Sequence, residues 1–321
     1  MLPDLCSLSS HPGQTAQAAA SIIKGQTDMN TLQGQRIGFI GLGLMGKPMA
    51  RNLAAAGAAM IVHNRSQGPV EALAREGMQA GRAPGDVAAR TDIVILMLSD
   101  TPAVDTVLTG EPDGVISGMK PGTLVIDMGT TRVPETRAFA AAVEARGGAY
   151  VDAPVSGGTI GAEGGTLTIM AGGPDEAFAR ARPVLDVLGR KITHVGGTGT
   201  GQVAKAANQV IVGLNIGAVA EALTLARHAG ADPARVLAAL AGGFADSRVL
   251  EVHGQRMVTE SFTPGAKATT QRKDMDQALA LAAELGIQLP QTRLSRDLYD
   301  WLINNGGADL DHAALIKAID R

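Results

Sequence analysis

Short apolar runs alternate with helix-like stretches from Arg36 to about Val195, and at the glycine cluster Gly196-Gly197-Thr198-Gly199-Thr200-Gly201 the alternation stops. The candidate strands are Ile37–Ile40, Met60–His63, Ile93–Leu98, Leu124–Asp127, Ala149–Val151, Leu167–Ala171 and Ile192–Val195. Between them lie helical stretches at Met45–Ala56, Pro69–Glu76, Ala103–Leu108, Val133–Arg146 and Pro174–Leu188. Strands alternating with helices point to βαβ units and a mostly parallel sheet. From Gln202 onward every stretch reads as helix: Val203 to about Ala229, then about Pro233–Leu240, Arg248–Thr259, Asp274–Leu285, Pro290–Asn304 and His312–Asp320. The expected organisation is a tail over 1–34, an α/β domain over 35–199 and an all-α domain over 200–321, with no internal repeat.

Composition narrows the function classes. A chain of 321 residues that is 45% apolar buries a substantial core. Aromatics are only 2%, so that core is built from Ala, Val, Leu, Ile and Met, which suits close helix packing. A net charge of −3 offers no overall basic excess for a nucleic-acid backbone, though it leaves room for a small phosphate-binding patch. The single cysteine, Cys6, fits a reducing compartment and a cytoplasmic location. No apolar run approaches the length needed to span a membrane. The first 34 residues lack a basic segment followed by a long apolar core, so they do not read as a signal peptide. They are rich in Ser, Gln and Ala, and the expectation is a poorly ordered tail, with a targeting segment as the alternative.

Residues 37–46 read I-G-F-I-G-L-G-L-M-G, placing Gly41, Gly43 and Gly46 in a G-x-G-x-x-G pattern after a strand and before a helix. The first glycine permits the tight turn, the second a close approach of backbone to pyrophosphate, and the third close helix–strand packing. Leu42, Leu44 and Met45 lie between them, and the helix N-terminus presents free N–H groups to phosphates. With 41 glycines in the chain, a turn without a ligand is the competing reading. The second strand ends at Asn64-Arg65-Ser66, where an NAD site usually has a carboxylate for the ribose. A guanidinium and a hydroxyl there suit a 2′-phosphate, so NADP(H) is the preferred cofactor and NAD(H) the lesser possibility. Alternatively Arg65 only solvates the strand end. Met97-Leu98 and the turn reaching Thr130 follow two further strands and should also line the cofactor.

Two features carry the candidate chemistry. Ser156-Gly157-Gly158 follows a strand and offers a hydroxyl and glycine-exposed N–H groups to an anion such as a carboxylate, or else is an ordinary glycine turn. In the long helix Val203, Ala207, Val210, Ile211 and Leu214 form one apolar face, with Val212, Ile216 and Val219 opposite, so it should be buried nearly all round. Lys205, Asn208, Gln209 and Val212 share one further face. A lysine on a buried helix is paired, snorkels to solvent near the helix start, or faces a cleft. In a cleft its ammonium would stabilise an alkoxide and donate the proton during hydride delivery to an aldehyde. Arg272-Lys273-Asp274 is placed at a helix start, with Lys273 reaching to the cofactor and Asp274 capping, or as a solvated charged turn. His194, His228, His253 and His312 are scattered, and no cluster has metal-ligand spacing, so no metal is expected.

Together these blocks resemble the β-hydroxyacid dehydrogenase family, which includes 3-hydroxyisobutyrate dehydrogenases and tartronate semialdehyde reductases. The resemblance covers about Arg36 to Asp320 and rests on the glycine-rich start through Pro48-Met49-Ala50, D-A-P-V-S-G-G at 152–158, G-T-L-T-I-M at 165–170, G-x-x-x-K-x-x-N at 201–208 and K-D at 273–274. It implies a Rossmann-type domain followed by a helical domain, with Lys205 catalytic, Ser156, Gly157 and Gly158 on the substrate carboxylate, Asn208 orienting the substrate, and Thr130 and Lys273 on the dinucleotide. Many members have two asparagines after the lysine; here the second is Gln209. Ala-Asn-Gln-Val-Ile-Val, Gly242-Gly243-Phe244-Ala245, Leu250-Glu251-Val252-His253-Gly254 and the ending at 305–315 look like the tartronate semialdehyde reductase branch. That branch implies NADP(H)-linked reduction of tartronate semialdehyde to D-glycerate, with 3-hydroxyisobutyrate or another small β-hydroxy acid as the alternative substrate. Gly129 stands where many relatives have serine. Members typically form dimers or tetramers through the helical domain. A non-catalytic NADP-binding module is the reading from another class, and it would have no need of Lys205 and the Ser156 turn together.

Overall fold

The computed structural model describes residues 31–320. The expectations for residues 1–30 lie outside that range. Within it, the expected tail already belongs to the fold at Leu32, which is fully buried and donates its N–H to the Ala56 carbonyl at 2.9 Å.

Among the described residues nine strands form one sheet. They are β1 (Arg36–Ile40), β2 (Ala59–His63), β3 (Gln79–Ala80), β4 (Ile93–Leu96), β5 (Leu124–Asp127), β6 (Ala149–Asp152), β7 (Val155–Ser156), β8 (Leu167–Gly172) and β9 (Gly189–Gly196). The first six are parallel in the order β3-β2-β1-β4-β5-β6, the doubly wound order of dinucleotide-binding domains. β8 runs antiparallel to β6 and β7 and parallel to β9. Strands β4 and β5 are apolar throughout because both faces are covered. Alternate residues go to opposite cores: Ile93, Ile95, Leu124 and Ile126 to one, Val94, Leu96 and Val125 to the other. Helices Gly46–Ala55 and Asp175–Leu188 close the first face, and Thr101–Thr109 and Val133–Glu144 the second. The sequence reading passed over the two-residue strands β3 and β7, the helix Pro84–Arg90, and two short helices at Val115–Gly118 and Gly158–Glu163. Elements that short carry too few residues to show a period.

Past Thr200 the described chain is helical, with an isolated bridge between Lys267 and Asp311. The helix Thr200–His228 packs on the ends of β6, β8 and β9 and then runs through the second domain against Ala268–Glu284 and Pro290–Leu302. By length and composition this helix could cross a membrane, with a mean hydropathy of 1.6, which corrects the expectation that no run comes close. Its buried face shows otherwise. Gln202, Lys205, Gln209, Gly213, Ile216, Ala220 and Leu223 form the stripe that faces inward. The predicted apolar face is the uncovered one: Val203 is 41% exposed and Ile211 60%. The expectation of burial all round therefore fails, and the polar stripe is the side that packs on the protein.

Candidate active site

The carboxyl ends of β1, β2, β4, β5 and β6 all open on one side of the sheet, because parallel strands share a direction. The sheet order reverses between β1 and β4, and the glycine-rich turn sits there. Gly41 has φ +101°, and a Cβ on it would overlap the Met97 carbonyl oxygen while lying 3.0 Å from Leu98 Cδ2. A Cβ on Gly46 would overlap the Gly41 carbonyl oxygen. These two glycines are therefore required by packing. Gly43 differs: a Cβ there meets no heavy atom within 4 Å, so the space beside it is open. The helix starting at Gly46 has neither a side-chain cap nor an acidic residue in its first turn, so no carboxylate offsets its positive end. The turn therefore fits a pyrophosphate.

Asn64 does something its position did not foretell. Its Oδ1 accepts the Leu42 N–H at 2.9 Å and its Nδ2 donates to the Ser66 carbonyl at 3.1 Å. It thus ties the glycine turn to the end of β2. Arg65 and Ser66 beside it are exposed, and Arg65 has no acidic partner among the described residues. Leu44 is exposed above the turn, and Met45 is half-buried at the helix start.

The long helix starts against the ends of β6 and β8. A Cβ on Gly201 would lie 2.5 Å from the Met170 carbonyl oxygen and 2.7 Å from that of Asp152, so only glycine allows this approach. Asp152, fully buried, accepts the N–H groups of Gly199 (2.8 Å) and Gln202 (2.9 Å), one on each oxygen. Gln202 reaches back, donating to the Gly129 carbonyl at 2.9 Å and accepting the Thr131 N–H at 3.1 Å. Asp127, also fully buried, accepts from the Gly129 N–H (3.0 Å), the Tyr150 hydroxyl (3.0 Å) and the Thr131 hydroxyl (3.3 Å). Burial pushes Asp127 up to about 6 and Asp152 up to about 7, and in each case hydrogen bonds to the ionised form oppose the rise. This network sets where the helix begins, and so where Lys205, three residues beyond Gln202, must point.

Lys205 is buried. Its Nζ donates to the Val155 carbonyl at 2.8 Å and to Gln209 Oε1 at 3.1 Å. Val155 immediately precedes Ser156, so the ammonium lies beside the turn Ser156-Gly157-Gly158. That turn has Gly157 at φ +134° and Gly158 at φ +59°, backbone conformations that favour glycine. Asn208 Nδ2 donates to Gln209 Oε1 at 2.7 Å. Gln209 Nε2 donates to Asp274 Oδ2 at 2.7 Å and to Gln271 Oε1 at 3.1 Å, and Gln271 Nε2 returns a bond to the Gln209 carbonyl at 3.0 Å. Burial lowers the pKa of Lys205; the Asp274 carboxylate works against the fall and the Lys273 ammonium with it.

Lys273 forms an ion pair with Asp274 at 2.8 Å. The expected helix start at Asp274 is corrected: the helix runs Ala268–Glu284, so Asp274 lies inside it, buried, as the partner of Gln209 rather than as a cap. Gln277, one turn on, donates to the Thr130 carbonyl at 3.4 Å, which brings Thr130 to the same helix. The structure thus gathers Lys205, Asn208, Gln209, Lys273 and the 156–158 turn, with Thr130 and the Gly41–Gly46 turn at the neighbouring strand ends. Sequence reasoning gave no role to Asp127, Asp152, Gln202 or Gln271. For the two aspartates the signal was available: an acid that closes an apolar strand must be partnered once buried. It also took the histidines as scattered. His253 and His312 stand edge to face with centroids 4.4 Å apart, beside Asp311. His194 and His228 do lie apart, the first stacked on Phe178 and the second hydrogen-bonded to Asp320.

Residues 36–196 match the NAD binding domain of 6-phosphogluconate dehydrogenase, and residues 199–319 the family described as NAD-binding of NADP-dependent 3-hydroxyisobutyrate dehydrogenase. The chain belongs to the β-hydroxyacid dehydrogenase family. This dehydrogenase is 48% identical over 286 residues to the 2-hydroxy-3-oxopropionate reductase of Escherichia coli, covering 89% of this chain and 97% of the relative. It is 37% identical to the 2-(hydroxymethyl)glutarate dehydrogenase of Eubacterium barkeri, over 88% and 94%. Among solved structures, the Mycobacterium tuberculosis 3-hydroxyisobutyrate dehydrogenase with L-serine superposes with a TM-score of 0.82 at 31% identity, over 89% and 99% of the two chains. The dehydrogenase therefore carries out NAD(P)-dependent hydroxyacid oxidoreduction on a small-molecule substrate.

Proposed function

We propose that the protein reduces tartronate semialdehyde (2-hydroxy-3-oxopropionate) to D-glycerate with NADP(H), using Lys205 as the general acid. The observation that carries this reading is the buried Lys205 ammonium on the Val155 carbonyl, one residue from the Ser156-Gly157-Gly158 turn. Bound across the glycine turn, the dinucleotide supplies the hydride. Ser156, Gly157 and Gly158 hold the substrate carboxylate, and Asn208 and Gln209 orient the reacting carbonyl. As that oxygen gains negative charge, Lys205 stabilises it and hands over a proton. Burial lowers the lysine's pKa, which makes the ammonium a better acid in this direction and leaves more of the amine neutral to act as base in reverse. Gly41, Leu42, Gly43, Leu44, Met45 and Gly46 would cradle the phosphates, and Met97, Leu98, Thr130 and Lys273 would line the rest of the dinucleotide. Arg65, exposed and without an acidic partner among the described residues, and Ser66 support a 2′-phosphate and hence NADP(H) over NAD(H).

The same reading makes 35–199 the dinucleotide-binding unit and 200–321 the substrate and dimerisation unit of a cytoplasmic enzyme. Val203, Ile211 and Leu225, exposed along the long helix, support a homodimer or homotetramer in which a second copy covers that face. The test is NADPH and NADH oxidation with tartronate semialdehyde and, separately, methylmalonate semialdehyde, in the wild type and Lys205→Ala. NADPH-linked turnover of tartronate semialdehyde that vanishes in the variant supports the whole reading. A preference for NADH and methylmalonate semialdehyde overturns the substrate and cofactor assignments and keeps the lysine. Tight NADPH binding with no turnover of either would favour a non-catalytic module.

A further inference from the structure

The short helix Gly158–Glu163 continues from the Ser156-Gly157-Gly158 turn, and its far end is held from the cofactor side of the fold. The last four carbonyls of a helix need partners from outside its regular ladder. Here the chain that follows serves two of them. The Ile160 carbonyl accepts the Gly164 N–H at 3.0 Å, and the Gly161 carbonyl accepts the Thr166 N–H at 2.9 Å. The other two, on Ala162 and Glu163, both accept from Asn52 Nδ2, at 2.8 Å and 3.4 Å. Asn52 belongs to the helix Gly46–Ala55, which starts at the third glycine of the glycine turn.

The short helix has little else to fix it. Its buried residues are Gly161 and Ala162, and Ile160 stands out into solvent. Glycine pairs bracket it, Gly157-Gly158 before and Gly164-Gly165 after, so no side chain resists rotation of the backbone at either end. Ser156 is secured separately, paired with Thr168 between β7 and β8. Gly157 and Gly158 instead go where the helix goes. The open side of Gly43 gives onto a recess that Asn52 and Glu163 also line, so the glycine turn and this tie border the same space.

Hydride transfer demands that the two reactants be placed against each other, and a misplacement of about 1 Å can cost about 100-fold in rate. Resting on the catalytic reading given above, we infer that Asn52 is a positioning residue: it clamps the 158–163 helix to the helix that begins at the glycine turn, and so sets where Gly157 and Gly158 hold the substrate carboxylate relative to the dinucleotide. It acts through that helix and not by contact with the substrate. The amide suits the task, because one NH₂ group carries a hydrogen for each of the two carbonyls. A carboxylate of the same shape would turn acceptors toward acceptors.

The experiment compares the wild type with Asn52→Leu, Asn52→Asp and Asn52→Gln. For each, kcat and KM for tartronate semialdehyde are measured with NADPH, alongside NADPH affinity, Tm and amide hydrogen exchange over 157–165. Asn52→Leu, close in size but without a donor, should lower kcat/KM by about tenfold or more, chiefly through a higher KM, while NADPH affinity stays put. Exchange over 157–165 should quicken in the same variant. Asn52→Asp should fall at least as far, and Asn52→Gln, which keeps the donor on a longer arm, should recover part of the loss. An unchanged KM in Asn52→Leu, with or without faster exchange, overturns the role of Asn52 and leaves the lysine chemistry intact. So does an equal weakening of substrate and NADPH, which would mark a disturbed glycine turn, or a loss that follows Tm alone and that Asn52→Gln does not relieve. A wild type that turns over neither tartronate semialdehyde nor methylmalonate semialdehyde overturns the inference and the catalytic reading together.

Discussion

Replacing Lys205 with methionine should separate catalysis from stability. Methionine fills nearly the same volume without a charge, so the change removes the proton donor and leaves the packing. Loss of a general acid costs about 10²–10⁴ in rate, and a thousandfold loss corresponds to about 4 kcal/mol of transition-state stabilisation. The stability ledger is nearly balanced. Gln209 Oε1 keeps the Asn208 donor at 2.7 Å, so of the two acceptors only the Val155 carbonyl loses its partner, at roughly 1–3 kcal/mol. Against that, the chain no longer buries an ammonium, a saving of similar order. Asp274 remains neutralised by Lys273 and bonded to Gln209. Single-turnover NADPH oxidation should therefore fall about a thousandfold, while thermal unfolding moves by about 5 °C or less. In the wild type, alcohol oxidation should rise with pH and level off below the ordinary lysine range, because burial lowers the Lys205 pKa and the neutral amine is the base. A variant that keeps its rate within tenfold, or loses rate only as far as it loses fold, would refute the assignment of Lys205 as proton donor.

The two packing glycines and the open one should part company. Gly46→Ala should destabilise by several kcal/mol because backbone must move, whereas Gly43→Ala should leave Tm unchanged and weaken NADPH binding about tenfold or more, as isothermal titration would read. Arg65→Ala should raise the KM for NADPH by about tenfold and leave that for NADH nearly alone; equal effects on both would remove the 2′-phosphate contact. Asp127 and Asp152 hold a proton more tightly folded than unfolded, so their contribution is full below their unfolded value near 3.8 and is lost as pH climbs through about 6 and 7. Urea unfolding should accordingly show a fall in stability from pH 5 to pH 8 that Asp127→Asn lessens, and a wild type with no such slope would count against the raised values. Asp311 acts in the opposite sense: held low by its partners, it adds stability above the carboxylate range that is lost on acidification.

The long helix shows how far the sequence reaches. Its existence, its start near the glycine cluster and the stripe Lys205-Asn208-Gln209 were all legible, because a helix repeats every 3.6 residues whatever surrounds it. Which face turns inward was not. Ile211 and Val203 are as apolar as any core residue, yet the protein spends its interior on Gln202, Lys205 and Gln209. Asp274 repeats the lesson: by spacing it could cap a helix, and only the arrival of Gln209 from another helix makes it a buried partner.

Local order and short motifs belong to the sequence itself: the strand–helix alternation, the change at residue 196, the glycine turn with its open middle position, and the lysine three residues past Gln202. Each depends on neighbours in the chain, where backbone geometry and periodicity leave little choice. The tertiary structure alone decided that Asp152 anchors the long helix 50 residues downstream, that Gln209 joins Lys205 to a helix 65 residues away, and that His253 and His312 meet over Asp311. Those pairings follow from desolvation. Once a charge or amide is buried it must find a partner, and which partner is within reach depends on how the helices cross, a property of the packed molecule rather than of any stretch of chain.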